Sequence, residues 1–360
     1  MTQQQRVEVL GTAFMEFASP DPQALMAVLE RIGFHAVARH RDGHAVLMRQ
    51  ATLDFIVTTQ HSSHGMAFAR LHGPSCAGMA FRVADGAAAL SLARSRGGEP
   101  LVATADSLVP DRALQGIGES ALYLVDDTDL AALYAQFEFD IDSPRAQVNP
   151  LFVRVDHVTH CVRPGHMQQW VDFYRNIFGF EEVFKFVAGD ASNGFDTVAV
   201  RDPASTACVT VLEPMGHASQ IQEFIDEYNG EGIQHIALFS DDLYASTEQL
   251  LASGVEFLPT PAAYYDALDE RLPGHGEDVP RMKSMGMLLD GAATGENPDA
   301  NSRFLLQIFT RKLVGPIFFE AIQRKGNTSF GEGNAKALFE AIKREQSTQG
   351  AGVGAAAETS

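Results

Sequence analysis

Apolar and polar residues alternate from Gly11 to Ala18, the period of a strand with one buried face, and the following stretch, Asp21 to Gly33, takes the spacing of an amphipathic helix. The pattern returns downstream. Val153 to Val162 alternates, Met167 to Ile177 is helical with Trp170, Phe173 and Tyr174, and Gly179 closes this unit as Gly33 closes the first, 146 residues earlier. Related units run from Cys76 to Val83 into a helix at Gly86 to Ser95, and from Gly232 to Phe239 into a helix at Leu243 to Ser253. Short strands at Ala45 to Met48, Leu53 to Thr58, Thr197 to Val200, Val209 to Leu212 and Phe304 to Phe309 complete four modules, paired two by two.

This organisation predicts an α+β chain with a first domain over residues 1–148, a second over 149–346 and a small-residue, disordered tail over 347–360. The junction falls near Asp142 to Pro150, where Ser143-Pro144 and Asn149-Pro150 interrupt regular structure. Pro261 to Arg303, rich in Asp, Gly and Pro, reads as helical turns and a surface loop, the loop centred on Gly291 to Asn301. Asn334 is placed to cap a helix over Ala335 to Glu345, whose Leu338, Phe339 and Ile342 recur at helical spacing.

A length of 360 residues exceeds what one core usually organises, which agrees with two domains. A net charge of -19 would repel phosphate backbones and anionic lipid, so neither nucleic acid nor membrane is an expected partner. Cys76, Cys161 and Cys208 are an odd, widely spaced set that supports neither a disulfide framework nor a metal knuckle. With a polar start from Met1 to Val9 and no apolar run near the roughly 18–20 residues of a membrane span, a cytoplasmic location is expected.

Candidate chemistry lies in what distinguishes the halves. The second half carries His157 in its opening strand, His235 in an apolar strand and Glu320 inside Pro316 to Ile322; the matching first-half strand around Gly11 to Ala13 has no histidine, the counterpart of His235 falls near Gly78, and Ala121 to Val125 carries no acid. An ionised carboxylate in an apolar strand is costly unless a charge or metal faces it. Two imidazoles and a carboxylate on three strands can form the facial triad of a non-haem Fe(II) oxygenase, although any one alone can be a satisfied core polar group. His160 points to the opposite face and is expected to be structural. Gln220, Gln234 and Gln307 are amides suited to a 2-oxo acid or a ring hydroxyl. Gly116 to Ala121 matches a dinucleotide fingerprint in form, but it runs into a strand-like segment with no helix to hold pyrophosphate.

Gly11 to Pro20, Gly73 to Phe81, Asn229 to His235, Leu305 to Phe309, Phe318 to Gly326 and Phe330 to Asn334 together resemble the 4-hydroxyphenylpyruvate dioxygenase family of the vicinal oxygen chelate superfamily, over residues 8–346. The resemblance implies two vicinal-oxygen-chelate domains of paired βαβββ modules forming half-open barrels, with one Fe(II) per chain held by His157, His235 and Glu320. It further implies that Gln234, Gln307 and Asn334 take part in catalysis, that Gln220, Phe309, Phe318 and Leu338 line the substrate site, and that the last helix gates it. A 2-oxo acid and O2 are the implied small-molecule partners, and a homo-oligomer, dimer or tetramer, the implied assembly. Four positions depart from the family pattern: Asp196 where it has serine, Thr210 and Leu212 where it has proline and asparagine, and Ala335 where it has phenylalanine. Thr210, Leu212 and Ala335 are similar to 4-hydroxymandelate synthase, a relative that hydroxylates the benzylic carbon. Three readings follow: production of homogentisate in tyrosine and phenylalanine catabolism, benzylic hydroxylation or oxidation of another 2-oxo acid, and a metal-free protein that binds aromatic acids or drugs.

Overall fold

The computed structural model describes residues 6–102, 106–140, 150–292 and 303–341. It contains two eight-stranded sheets. The first is built from β1 (Val9–Ala18), β2 (His35–His40), β3 (Ala45–Gln50), β4 (Leu53–Thr58), β5 (Ser75–Val83), β6 (Ala113–Gln115), β7 (Ala121–Val125) and β8 (Phe137–Phe139), in the order β6-β7-β5-β1-β4-β3-β2-β8. The second holds β9 (Arg154–Cys161), β10 (Glu181–Ala188), β11 (Phe195–Arg201), β12 (Cys208–Pro214), β13 (Gly232–Phe239), β14 (Leu288–Ala292), β15 (Arg303–Phe309) and β16 (Phe318–Lys325), in the order β10-β11-β12-β9-β13-β16-β15-β14. The fold is α+β with two glyoxalase-type domains, and one of the sheets curls into a half-barrel.

Local chemistry explains where the helices begin. Asp21 accepts from the Ala24 amide, Asp85 from Ala88 and Asp242 from Ala245, each satisfying a donor that the first turn would leave free. Ser63 and Ser219 do the same for helices His64–His72 and Gln220–Tyr228. Helix Met167–Phe178 ends on Gly179 at φ 70, a conformation that glycine adopts without strain.

The two sheets share a topology, and their registers superimpose the halves residue by residue. Ala237 of β13 pairs with both His157 and Glu320, while Ala80 of β5 pairs with both Phe14 and Tyr123. Likewise His235 pairs with Thr159 and Phe318, and Gly78 with Glu16 and Ala121. Phe14, Gly78 and Tyr123 therefore occupy the first-sheet places of His157, His235 and Glu320. This corrects the expected counterpart of His157, since β1 slips register between Val9 and Gly11 and again between Thr12 and Phe14. Glu16, at the place of Thr159, is buried and accepts from Thr58 Oγ1 at 2.8 Å and Tyr123 Oη at 2.7 Å.

Packing between the sheets fixes the back of β16, where Phe319 lies 6.4 Å from the Phe17 ring and 6.3 Å from Phe55. With Phe319 held in the core, alternation turns its neighbour Glu320 to the other face. The stretch read as irregular, 261–303, contains helices Ala262–Asp266, Leu268–Arg271 and Val279–Met285 and also β14, whose Asp290 and Gly291 resemble a turn in sequence but pair with Leu305 and Phe304. The last described helix spans 332–341, so Asn334 sits in its first turn and not at its cap, as Ala335 N bonds to Gly331 O. The expectations for residues 142–149, 293–301, 342–345 and 347–360 lie outside the described residues. Among the described residues no helix is long and apolar enough to cross a membrane.

Candidate metal centre and its cavity

His157, Thr159 and His235 share the concave face of the second sheet, where Glu320 meets them from β16. One donor atom from each of His157, His235 and Glu320 lies within 4.8 Å of the others, and all three residues are buried. His157 Nε2 is 3.4 Å and His235 Nε2 3.6 Å from the same carboxylate oxygen, Glu320 Oε2. The imidazole planes stand 80° apart with ring centres separated by 5.7 Å.

Partners on the far nitrogens fix which ring edge faces inward. His157 Nδ1 donates to Asp156 Oδ1 at 3.0 Å, and Arg324 clamps that carboxylate through two hydrogen bonds of 2.9 and 2.7 Å. The Thr159 hydroxyl donates to the inward-facing Nε2 of His235 at 2.8 Å, a contact that a bound cation would displace, while His235 Nδ1 on the far side donates to Gln234 Oε1 at 3.0 Å. Such outer contacts are what orient histidine ligands and raise their basicity. Burial alone would depress the His157 imidazole, but the Glu320 charge and the hydrogen bond to Asp156 outweigh it and lift it to about 9. Burial, reinforced by His157, holds His235 well below its ordinary value. Burial would raise Asp156, yet the Arg324 and His157 hydrogen bonds hold it below the ordinary carboxylate range. A divalent cation between two Nε2 lone pairs and Oε2 would replace the proton that His157 otherwise retains, so the donor set fits such an ion. His160 faces away, 2.7 Å from the Tyr174 hydroxyl, with burial lowering it to about 3.

The triad floors a cavity of about 470 Å³. Its walls are aromatic: Phe184, Phe186, Phe195, Phe309, Phe318, Phe330 and Phe339. Phe318 stacks on His235 at 4.8 Å, and Phe330 meets His157 edge-on at 5.3 Å. Of the residues expected from sequence, Gln220, Gln234, Gln307, Asn334, Thr210, Leu212, Ala335 and Leu338 also line it. Among the lining residues there is no lysine or arginine.

Asp196 is a correction. Its neighbours Phe195 and Thr197 line the cavity while Asp196 does not, because consecutive side chains of β11 alternate between faces. Thr197, opposite Leu212 across the β11–β12 ladder, supplies the hydroxyl at that wall. Sequence reasoning also passed over Phe184 and Phe186. Their strand reads Val183-Phe184-Lys185-Phe186-Val187, with two valines beside Lys185 on the outward face, so the alternation that would reveal the inner side is weak. Thr159 was hidden by its two histidine neighbours, although its spacing from His157 placed it on the same face.

The segment Phe330 to Asn334 brings the last helix onto the cavity. Gly331 has φ +84, and a Cβ there would stand 2.0 Å from Gln307 Oε1; at Gly333 it would stand 2.1 Å from Asp290 Oδ1. Only hydrogen at both positions lets the helix descend far enough for Ala335, Leu338 and Phe339 to form one wall.

Residues 4–144 match the family model described as hydroxyphenylpyruvate dioxygenase, N-terminal, and residues 154–268 match the glyoxalase/bleomycin resistance protein/dioxygenase superfamily. The chain is 41% identical to hemolysin VllY of Vibrio vulnificus, covering 94% of this chain and 96% of that protein. It is 39% identical to 4-hydroxyphenylpyruvate dioxygenase of Legionella pneumophila, covering 94% and 95%. Among solved structures, a mutant of 4-hydroxymandelate synthase from Streptomyces coelicolor aligns with a TM-score of 0.76 at 26% identity, over 94% of this chain and 99% of that one.

Proposed function

The chain belongs to the 4-hydroxyphenylpyruvate dioxygenase family and is a dioxygenase of that kind, and we propose that it uses one Fe(II) to convert 4-hydroxyphenylpyruvate and O2 into homogentisate and CO2. This places it in tyrosine and phenylalanine breakdown, in the cytoplasm, as a homo-oligomer. The observation that carries the reading is the buried His157–His235–Glu320 cluster at the floor of an aromatic cavity. These three residues hold the ion, which when bound supplies Lewis acidity toward the 2-oxo carboxylate and the redox centre at which O2 is used.

The protein's own groups do the rest. With no lysine or arginine lining the cavity, the substrate carboxylate depends on the cation and on neutral donors; Gln234 and Asn334 supply amide N–H groups there, while Gln307, whose own N–H groups go to Glu320 and Phe330 O, holds the wall beside them. Phe309 and Phe318 flank the ring and exclude water, which strengthens every polar contact beside it. Gln220, exposed at the start of its helix, marks the rim. Asp156 and Gln234 keep both ligand nitrogens directed inward.

A second reading is favoured by Leu212 and Ala335, which line the cavity without offering an amide or an aromatic ring. A ring less tightly held exposes its benzylic carbon and gives 4-hydroxymandelate. The two products are isomers, so mass alone does not separate them. Incubation of the Fe(II)-loaded protein with 4-hydroxyphenylpyruvate and O2, followed by chromatography against both standards, decides between them. Absence of both products, with no iron retained after anaerobic loading, would sink both readings in favour of a metal-free binding protein.

A further inference from the structure

The three short helices Ala262–Asp266, Leu268–Arg271 and Val279–Met285 contribute no residue to the cavity wall, yet a hydrogen-bond chain runs from them to a triad carboxylate. Its hub is Tyr264, 1% exposed. Arg271 Nη2 lies 2.9 Å from the Tyr264 hydroxyl, the Leu289 amide also 2.9 Å, and Asn334 Oδ1 2.6 Å. Leu289 O is 3.0 Å away but takes a proton from Arg271 Nη2 at 2.7 Å. Asn334 Nδ2 then donates to Gln307 Oε1 at 2.8 Å, and Gln307 Nε2 to Glu320 Oε1 at 2.8 Å.

The direction of this chain is fixed at its origin. A guanidinium can only donate, and so can a backbone amide, so together they occupy both lone pairs of the phenol. Its single proton is left for Asn334 Oδ1. That sets the amide of Asn334, which together with Phe330 O sets the amide of Gln307, which delivers an N–H to Oε1 of Glu320 and leaves Oε2 facing both histidines.

We propose that Tyr264 is a positioning residue for the metal centre: through Asn334 and Gln307 it reserves one oxygen of Glu320 and presents the other alone to the cation. The inference rests on the reading of His157, His235 and Glu320 as metal ligands. Without the phenol proton the Asn334 amide is free to turn and Gln307 Oε1 loses its donor, so Gln307 is held only through Nε2, by Phe330 O at 3.3 Å and Glu320 Oε1 at 2.8 Å, and pins that carboxylate oxygen less firmly. The carboxylate then rotates away from the geometry that both imidazoles share. Loss of an outer partner of this kind weakens metal binding about 10–100-fold.

The test is a Co(II) titration of the metal-free full chain, followed by visible absorption, on wild type, Tyr264→Phe, Tyr265→Phe and Glu320→Gln. Tyr265 is the control, since its hydroxyl lies 3.0 Å from Met287 O and off the chain to Glu320. The expected result is a loss of about 10–100-fold for Tyr264→Phe, no change for Tyr265→Phe, and no binding for Glu320→Gln. Unchanged affinity in Tyr264→Phe, or an equal loss in Tyr265→Phe, overturns the positioning role while leaving the ligand set intact. Wild-type affinity in Glu320→Gln overturns the ligand set itself. If Tyr264→Phe does not fold, Asn334→Asp carries the test, because it keeps the acceptor for the phenol and removes the donor to Gln307; wild-type affinity there also overturns the proposal.

Discussion

Thr210 is buried at 5% exposure, lines the cavity, and its Oγ1 has no partner among the described residues. Replacing it by valine exchanges a hydroxyl for a methyl at nearly constant volume, so the change is one of polarity and hardly of packing. A buried hydroxyl without a partner costs about 1–3 kcal/mol, and removing it is expected to stabilise the ligand-free protein by up to that amount. For a domain of roughly 150–250 residues this raises the midpoint about 2–4 °C per kcal/mol. Catalysis should move the other way. A substrate oxygen that meets Thr210 loses its partner in Thr210→Val, and the same 1–3 kcal/mol lowers kcat/KM by roughly 5- to 150-fold. Comparing 4-hydroxyphenylpyruvate with phenylpyruvate locates the contact. If Thr210 meets the ring hydroxyl, only the hydroxylated substrate slows; if it meets the 2-oxo acid end, both slow equally. A variant with neither a raised melting midpoint nor a changed kcat/KM for either substrate would refute the reasoning, because the hydroxyl would then have a partner in both states.

His157→Ala, His235→Ala and Glu320→Ala are each expected to abolish turnover and lower iron occupancy by metal analysis, whereas His160→Ala, on the opposite face, retains the metal. Leu212→Asn combined with Ala335→Phe is expected to raise the homogentisate fraction from 4-hydroxyphenylpyruvate, by about one to two decades in product ratio, as read by chromatography; an unchanged ratio means these walls do not steer the ring. Burial raises the Glu16 carboxyl above its ordinary value against the hydrogen bonds from Tyr123 and Thr58. Its stabilising contribution is therefore complete below the ordinary carboxylate value and lost as pH rises through the raised one. Glu16→Gln removes that titration, so urea midpoints measured across the range should fall less steeply toward high pH than in wild type, and parallel profiles would contradict this.

The cluster of His157, His235 and Glu320 was legible because each of them interrupts an otherwise apolar strand, and a polar side chain in such a place demands a partner. The repeat was legible for a similar reason: its helices and strands recur with their closing glycines, Gly33 and Gly179. What sequence could not supply was register. Asp196 was read one residue away from Thr197, and on a strand one residue is a change of face. The slips in β1 that set Phe14 opposite Ala80 leave no mark in composition. Nor does the joining of Tyr264 to Glu320, since the residues in that chain are brought together from helix, strand and terminal helix by tertiary contact alone. β14 was missed because Asp290 and Gly291, turn-like in isolation, are held in a ladder by β15.

The matched registers of the two sheets have a consequence for how the halves tolerate change. Positions 14, 78 and 123 occupy the same seats as 157, 235 and 320, but they hold a phenylalanine, a glycine and a tyrosine. In the first half these seats answer to packing and to one buried hydrogen bond: a Cβ on Gly78 would stand 2.9 Å from Ala121 O, Phe14 lies 5.4 Å from the Tyr123 ring, and Tyr123 donates to Glu16 at 2.7 Å. In the second half, on the proposed function, they answer to coordination chemistry as well. Mutational scanning should thus show a lopsided map on one frame, with conservative swaps such as Phe14→Leu measured by folding yield alone and swaps as mild as Glu320→Gln silent in yield but fatal to turnover. Two copies of a single geometry thus carry different constraints, shape in the first and, on the proposed function, reactivity added to shape in the second.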